Sequence, residues 1–319
     1  RGAYQISSTA TTTVTTTYTG NSTGSVTNSG AFDLSGISVF DLGGSTLTNN
    51  GTLDLSTATS VDLGGWTGTF TNSGTADLSA ATSLDLGGGT FTNSGTLTGN
   101  LSTLTSLDLA GGGTFTNNSG TVDLSNVTSL VFGGGSMTTG SSGTIDLSGL
   151  TAIDLAGGTF TNNGTFTATS TVNFTSASAA NFYQNGTINN LTDLTVGSNV
   201  TFEFQNTSSS TSFSLTNLTV ASGGTVTHQA NSTAHVDSLN LVISNNLDVQ
   251  TGGTINANAK GYQGGVSTGQ AGSGPGGGGG STVYAGGGGG YGGAGGNGSG
   301  GGGGGAGGSS YGSITQPTD

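Results

Sequence analysis

Cysteine is absent from the 319 residues, proline occurs twice, methionine and tryptophan once each, and the only basic residues are Arg1 and Lys260. Without cysteine there is no disulfide framework and no thiolate to bind a metal or attack a substrate, and the redox compartment leaves no mark. Two positive charges stand against fifteen acidic residues, a formal net charge of −13, so a phosphate backbone finds no counter-charge and nucleic acid is excluded as a partner. No run of about eighteen apolar residues is present, so no membrane span is expected. Charged residues make up 5% and hydrophobic residues 30% of the chain, too little of either for an ordinary globular domain. The first residue is Arg and no signal peptide is visible, the pattern expected of a processed product or a piece of something longer.

What the chain has instead is repetition. A cassette of about twenty-two residues recurs, reading Thr-Phe-Thr-Asn-x-Gly-Thr-x-Asp-Leu-Ser, a short spacer, then Ser-Leu-Asp-Leu-Gly-Gly. Its phase is marked by the apolar residue inside a Thr-x-Thr-like triplet: Val26, Leu47, Phe70, Phe91, Phe115, Met137, Phe160, and more loosely Phe182 and Phe202. Insertions fall beside glycines, as at Asn117 to Gly120 and Gly111 to Gly113, where a turn absorbs them.

Each cassette holds three runs that alternate apolar and polar residues, the period of a strand with one buried face. In the second cassette they are Thr46 to Thr48, Thr52 to Ser56 and Ser60 to Leu63, separated by corners at Asn49-Asn50-Gly51, Thr57-Ala58-Thr59 and Gly64-Gly65. No run reaches the ten or so residues of a helix, and β-branched threonine and paired glycines interrupt every window. Three short strands per repeat describe one coil of an all-β parallel β-solenoid (β-helix), whose coils bury their apolar sides only by stacking. Stacking at roughly 4.8 Å makes neighbours of residues one repeat apart and predicts about 40 Å of rod between residues 26 and 202. Two interior columns follow: Phe32, Leu53, Ala76, Leu97, Val122, Ile145, Phe166, Ile188, and Phe40, Val61, Leu84, Leu107, Leu130, Ile153, Val172.

Three regions are expected: a Thr-rich N-terminal cap, first coil or assembly strand at 1–24, the β-solenoid at 25–260, and a glycine-rich tail at 261–319. After Phe202 the repeat decays, with strands continuing through Leu247 to Val249 and Thr254 to Ala257. By composition the tail, with Tyr262, Tyr284, Tyr291 and Tyr311 among its glycines, is a flexible linker. If ordered, it would form extended polyproline-II-like glycine strands packed on the rod or on a neighbouring molecule.

Two acidic columns are the candidate metal site. Asp33, Asp54 and Asp77, continued by Asp123 and Asp146, lie in one; Asp41, Asp62 and Asp85, continued by Asp108 and Asp154, lie in the other. Carboxylates about 5 Å apart with no basic neighbour either raise their pKa values or gather cations. Ca²⁺ suits such an all-oxygen ladder, and a solvated acidic stripe that keeps molecules soluble is the alternative. The glycines follow Asp-Leu, unlike the nonapeptide calcium repeat. No other cofactor is implied.

Paired threonines, Thr46/Thr48, Thr69/Thr71, Thr90/Thr92, Thr114/Thr116 and Thr159/Thr161, form a face that resembles the ice-binding face of β-solenoid antifreeze proteins. Outward threonine is also what any strand prefers, and Ser25 and Ser136 interrupt the pattern. Asn28, Asn49, Asn72, Asn93, Asn117 and Asn162 are expected at corners, with amides bonded up and down the stack and a left-handed backbone. His228 and His235, with Asp237 nearby, match no zinc spacing, and the two histidines are expected at the surface of a solenoid turn. Nothing resembles a nucleophile elbow, and no catalysis is expected. Sequons at Asn21, Asn50, Asn100, Asn126, Asn163, Asn173, Asn199 and Asn217 allow glycosylation.

The Thr-Asn-Ser-Gly-Thr and Asp-Leu-Gly-Gly runs, followed by Leu247 to Ile255 and a glycine-rich block, resemble large secreted prokaryotic β-helix proteins of the adhesin or autotransporter-passenger type. The resemblance implies an extracellular or cell-surface structural role. Two readings follow: a subunit of a self-assembling filament, its partner another copy of itself, or a monomeric stalk or adhesin that binds carbohydrate or another cell.

Overall fold

In the computed structural model the described residues are 3–6, 11–13, 18–19, 24–64, 67–205, 212–264, 269–283, 285–290, 294–299 and 304–310, with backbone alone before residue 24. The described secondary structure is entirely strands and turns, a parallel β-solenoid of about nine turns with about 23 residues per turn. The expected repeat of about twenty-two residues is realised as these coils.

The predicted phase is realised as sheet pairing. Thr46–Asn49 lies between Ser25–Asn28 and Thr69–Asn72, with Val26, Leu47 and Phe70 in register. Phe91, Phe115, Met137, Phe160 and Phe182 continue that column. Its rings are in mutual contact: Phe70 meets Phe91 edge-on at 5.2 Å, Phe91 stacks on Phe115 at 5.1 Å, and Phe182 stacks on Phe202 at 4.7 Å. Aromatic contacts of this geometry add to the area they bury, which is how so few apolar residues sustain a continuous core.

The first predicted column is also in register from Phe32 through Leu53, Ala76 and Leu97, and again from Val122 through Ile145 and Phe166 to Ile188. The second departs from expectation at its end. Phe174, and not Val172, stands beneath Ile153, while Val172 pairs with Leu194. The strand Thr171–Thr175 alternates Val172 and Phe174 inward, so two positions satisfied the apolar pattern and phase alone did not choose between them.

The Asp-Leu step explains each corner. The leucine after the aspartate points inward, and its N–H donates to the aspartate carbonyl of the next coil: Leu34 to Asp54 at 2.8 Å, Leu55 to Asp77 at 3.0 Å. Gly64, in the Asp62-Leu63-Gly64 corner, holds φ = 70°, and a Cβ there would collide with the Gly43 backbone one coil away. The Thr57 hydroxyl donates to the Ser35 and Ile37 carbonyls of the preceding coil, tying the middle corner. At the N-terminus Ala3–Ile6, Thr11–Thr13 and Tyr18–Thr19 pair in parallel with the following coil, so the Thr-rich leader supplies a first coil. Val14 to Thr17 and Asn21 lie outside the described residues.

The chain forms two compact units: one of 1–203, 213–227 and 241–255, which is the solenoid, and one of 204–212, 228–240 and 256–319. In the second unit glycine segments bond to one another with a period of three. Gly287 and Gly290 donate to Gly279 and Gly276, Gly295 and Gly298 to Gly308 and Gly305, and Gly305 and Gly308 to Ala285 and Gly288. Three residues per turn is the polyproline-II repeat, whose backbone has no internal hydrogen bonds and must find them laterally. Glycine segments bond to one another within this unit, a lateral pairing that the expectation of packing on the rod or on a neighbouring molecule did not name. Tyr284, Tyr291 and Tyr311 lie outside the described residues.

Candidate functional site

Four ordered features result from the stacking. The first is internal. Asn28, Asn49, Asn72, Asn93 and Asn117 are fully buried, and each Nδ2 donates to the Oδ1 of the next, at 2.7, 2.8, 2.9 and 2.9 Å. Each also donates to a backbone carbonyl of the next coil, as Asn49 does to Thr75 at 2.9 Å. The expected amide stacking is there; the expected left-handed backbone is not. Outside glycine, positive φ occurs at Asn100, Leu101, Ala156, Asn190, Asn199 and Ala259, and at none of the ladder asparagines. Their role is to fill the hydrogen-bonding needs of a turn that faces the core. At Thr139 the ladder stops: Thr139 Oγ1 and Asn162 Oδ1 are buried without a partner among the described residues, and Asn162 resumes the run by donating to Gln184 at 3.1 Å.

The second feature is the acidic pair of columns. Asp33, Asp54 and Asp77 are register partners, as are Asp41, Asp62, Asp85 and Asp108. The first run ends against Thr98 and the second against Val131. Every one of these carboxylates accepts the N–H two residues on: Ser35 for Asp33, Ser56 for Asp54, Ser79 for Asp77, and Gly43, Gly64 and Gly87 for Asp41, Asp62 and Asp85, at 2.6 to 3.0 Å. This turn-closing bond gives aspartate a reason to recur that needs no ion. Among the described residues no three His, Cys, Asp or Glu side chains converge in a metal-holding group. At Asp85 partial desolvation raises the carboxyl pKa above its ordinary range, the Gly87 N–H opposes this, and the charges of Asp62 and Asp108 reinforce it.

The third is the hydroxyl face. Ser25, Thr46, Thr69, Thr90, Thr114, Ser136 and Thr159 form one file and Thr27, Thr48, Thr71, Thr92, Thr116, Thr138 and Thr161 the other, seven coils in unbroken register. Asn181 and Tyr183 end the two files.

The fourth was not anticipated. Leu241–Val249 is the last strand of its sheet and Thr254–Ile255 the last of another. Leu247 and Val249 stand in the columns of Leu218 and Val220, which are 1% and 0% exposed, yet they are themselves 50% and 43% exposed. Ile255, over the buried Val226, is 38% exposed. The apolar columns therefore end on partly exposed side chains. Its signal in the sequence is the continuation of cassette-like apolar positions up to the residues where the repeat lapses.

The histidines depart from expectation. His228 is buried at the end of the strand Thr225–His228 and its Nδ1 lies 2.8 Å from the Gln229 carbonyl; Asp237 is buried too, and only His235 is exposed. In the second unit a depression of about 490 Å³ is lined by glycine backbone with Tyr262, Gln263, Gln270, Ser273 and Ser281, and no charged side chain. No helix among the described residues is long and apolar enough to cross a membrane. No family model, no curated protein and no solved structure matches the chain.

Proposed function

We propose that this chain is an extracellular structural protein without catalytic chemistry, a subunit that associates through its coil ends into a surface filament. The observation that carries this reading is the uncovered final coil. A solenoid end is a sheet edge with unpaired N–H and C=O groups, and proteins that remain single molecules blunt such edges with charge, proline or a covering segment. Here the last strand is nine residues long, has no proline, carries one charge at Asp248, and leaves Val242, Leu247 and Val249 exposed. The Ser, Thr, Asn and Gly exterior with a single lysine is consistent with a surface location. Electron microscopy of the purified chain tests the proposal: uniform fibres are expected, and single unassembled particles at all concentrations would contradict it.

The depression beside Tyr262 favours a second reading, a monomeric adhesin. Uncharged amides, hydroxyls and bare peptide groups suit a neutral, hydroxyl-rich ligand, hence carbohydrate. Glycan-array binding by unassembled particles would select this reading. The hydroxyl face supports ice as a minor third, and a measurement that finds neither thermal hysteresis nor ice shaping would remove it. Ca²⁺ along the aspartate columns is the weaker partner, and the solvated-stripe reading expects neither heat nor a shift in melting temperature on titration with Ca²⁺.

A further inference from the structure

The buried amide ladder follows one rule, and one coil breaks it. In the regular coils each Nδ2 donates both to the next amide and to a carbonyl of the next coil: Asn28 to Asn49 and Thr52, Asn49 to Asn72 and Thr75, Asn72 to Asn93 and Thr96. Thr139 is the register partner of both Asn117 and Asn162, so it stands in the same file, fully buried, with a hydroxyl in place of the amide. Its side chain ends one bond nearer the backbone and brings one hydrogen where the file calls for two. Thr139 Oγ1 and Asn162 Oδ1, on adjacent coils, are both buried and unpartnered among the described residues. The break extends to the backbone. Gly51, Gly74, Gly95 and Gly186 donate their N–H to the asparagine carbonyl of the preceding coil at 2.8 to 3.1 Å, whereas Gly164, the corresponding residue after Asn162, is buried and makes no such bond among the described residues. Nor does it close on its own asparagine: the Gly30 N–H donates to Asn28 Oδ1 at 3.0 Å, and Asn162 Oδ1 accepts no equivalent bond. The corner is also longer here, because Gly140 to Gly143 separate Thr139 from Thr144, where only Asn50 and Gly51 separate Asn49 from Thr52.

We infer that the core binds one internal water molecule at this step of the ladder, where it stands in for the missing amide NH2 group. Water has the two hydrogens that the file requires. One goes to Asn162 Oδ1 and the other to the carbonyl of Thr165, whose counterparts in the regular coils are Thr52, Thr75 and Thr96. Its oxygen accepts from the Thr139 hydroxyl and from the Gly164 N–H. Buried water makes about three such bonds to polar groups that lack another partner, and it is costly to remove. A cation is the poorer occupant, because these groups supply only neutral oxygens, no carboxylate stands in the file, and an N–H donor repels positive charge. The site lies inside the solenoid, between coils whose register is fixed on both sides of Thr139.

A crystal structure of the full chain at a resolution that shows ordered water is expected to place one molecule within hydrogen-bonding distance of Thr139 Oγ1 and Asn162 Oδ1. A direct bond between those two atoms, or one from the Gly164 N–H to Asn162 Oδ1 with no water present, overturns the inference. In solution, deuteron magnetic relaxation dispersion counts the waters held longer than the molecule takes to tumble. Thr139→Asn supplies the amide, displaces the water, and is expected to lower that count by one; an unchanged count in the folded variant overturns the inference. Thr139→Val keeps the shape and removes the hydroxyl, and the sign of its effect separates the two cases. If the hydroxyl holds a water, the melting temperature falls by about 2 °C or more; if it is buried with no partner, removing it leaves the melting temperature unchanged or raises it, and that result overturns the inference. Should either variant fail to fold, the crystal structure of the native chain decides alone.

Discussion

At the residue scale, the buried amide ladder decides most. A single amide here is both donor and acceptor to its neighbours, so Asn72→Ala would take the amide donor from the buried Oδ1 of Asn93 and from the Thr96 carbonyl, and one of the acceptors from the Nδ2 of Asn49. Leaving buried polar groups unpaired costs about 1–3 kcal/mol each, and the expected result is a loss of several kcal/mol in a denaturant titration with an unchanged strand spectrum. Thr139→Asn makes the opposite change. The new amide donates to the orphaned Asn162 Oδ1, and a gain of about 1 kcal/mol is expected in the same titration. Asp85 carries the pH dependence. Its folded-state pKa is raised, so the folded chain holds that proton more tightly than the unfolded one; the contribution is present below the ordinary carboxyl value of 3.8 and is lost as pH rises through the folded value. The melting temperature should therefore fall over this window on going from mild acid toward neutrality. Asp85→Asn keeps the oxygen that accepts the Gly87 N–H, removes the charge between Asp62 and Asp108, and should flatten that fall.

At the element scale, the coil was legible because one side-chain period of two and one backbone period near twenty-two had to agree, and only stacked strands satisfy both. Phe70, Phe91 and Phe115 announce their column by identical neighbours at every step. Val172 and Phe174 do not, since either fits, and the choice depends on the length of the connection that precedes them. The inward turn of the asparagines was hidden for another reason: Thr-Phe-Thr-Asn alternates, so asparagine shares the face of phenylalanine, but polarity argues for the outside. The hydrogen bonds that overrule polarity exist only once coils are stacked. In the tail, composition described the chemistry and missed the three-residue bonding period, because a run of glycine has no side-chain pattern to show which residues face inward. Sterics make it testable. A Cβ on Gly287 would land on the Ala306 carbonyl and one on Gly305 on the Gly279 carbonyl, whereas Gly296 has open space. Gly287→Ala and Gly305→Ala should abolish amide protection across 276–308 in hydrogen exchange and leave the solenoid's protection intact, and Gly296→Ala should change neither.

At the scale of the whole molecule, charge and apolar ends act against each other. A net charge of −13 with two positive side chains means that any two copies repel, whichever ends meet, and the aspartate columns place much of that charge along the coils. The uncovered Leu247, Val249 and Ile255 attract through burial, which ionic strength barely alters. Repulsion between surface charges is screened over about 10 Å at 0.1 M salt and about 30 Å at 0.01 M. Association should therefore strengthen as NaCl rises from about 0.01 M to 0.1 M, and strengthen again as carboxylates are protonated in mild acid. An interface held by ion pairs would respond with the opposite sign. The same argument separates carbohydrate binding from assembly, because the depression beside Tyr262 is lined by uncharged groups and a neutral glycan should bind there with an affinity indifferent to salt. Sedimentation velocity across that salt range measures the first response and glycan titration the second; association that weakens with added salt would place the contact somewhere other than the apolar end of the spine.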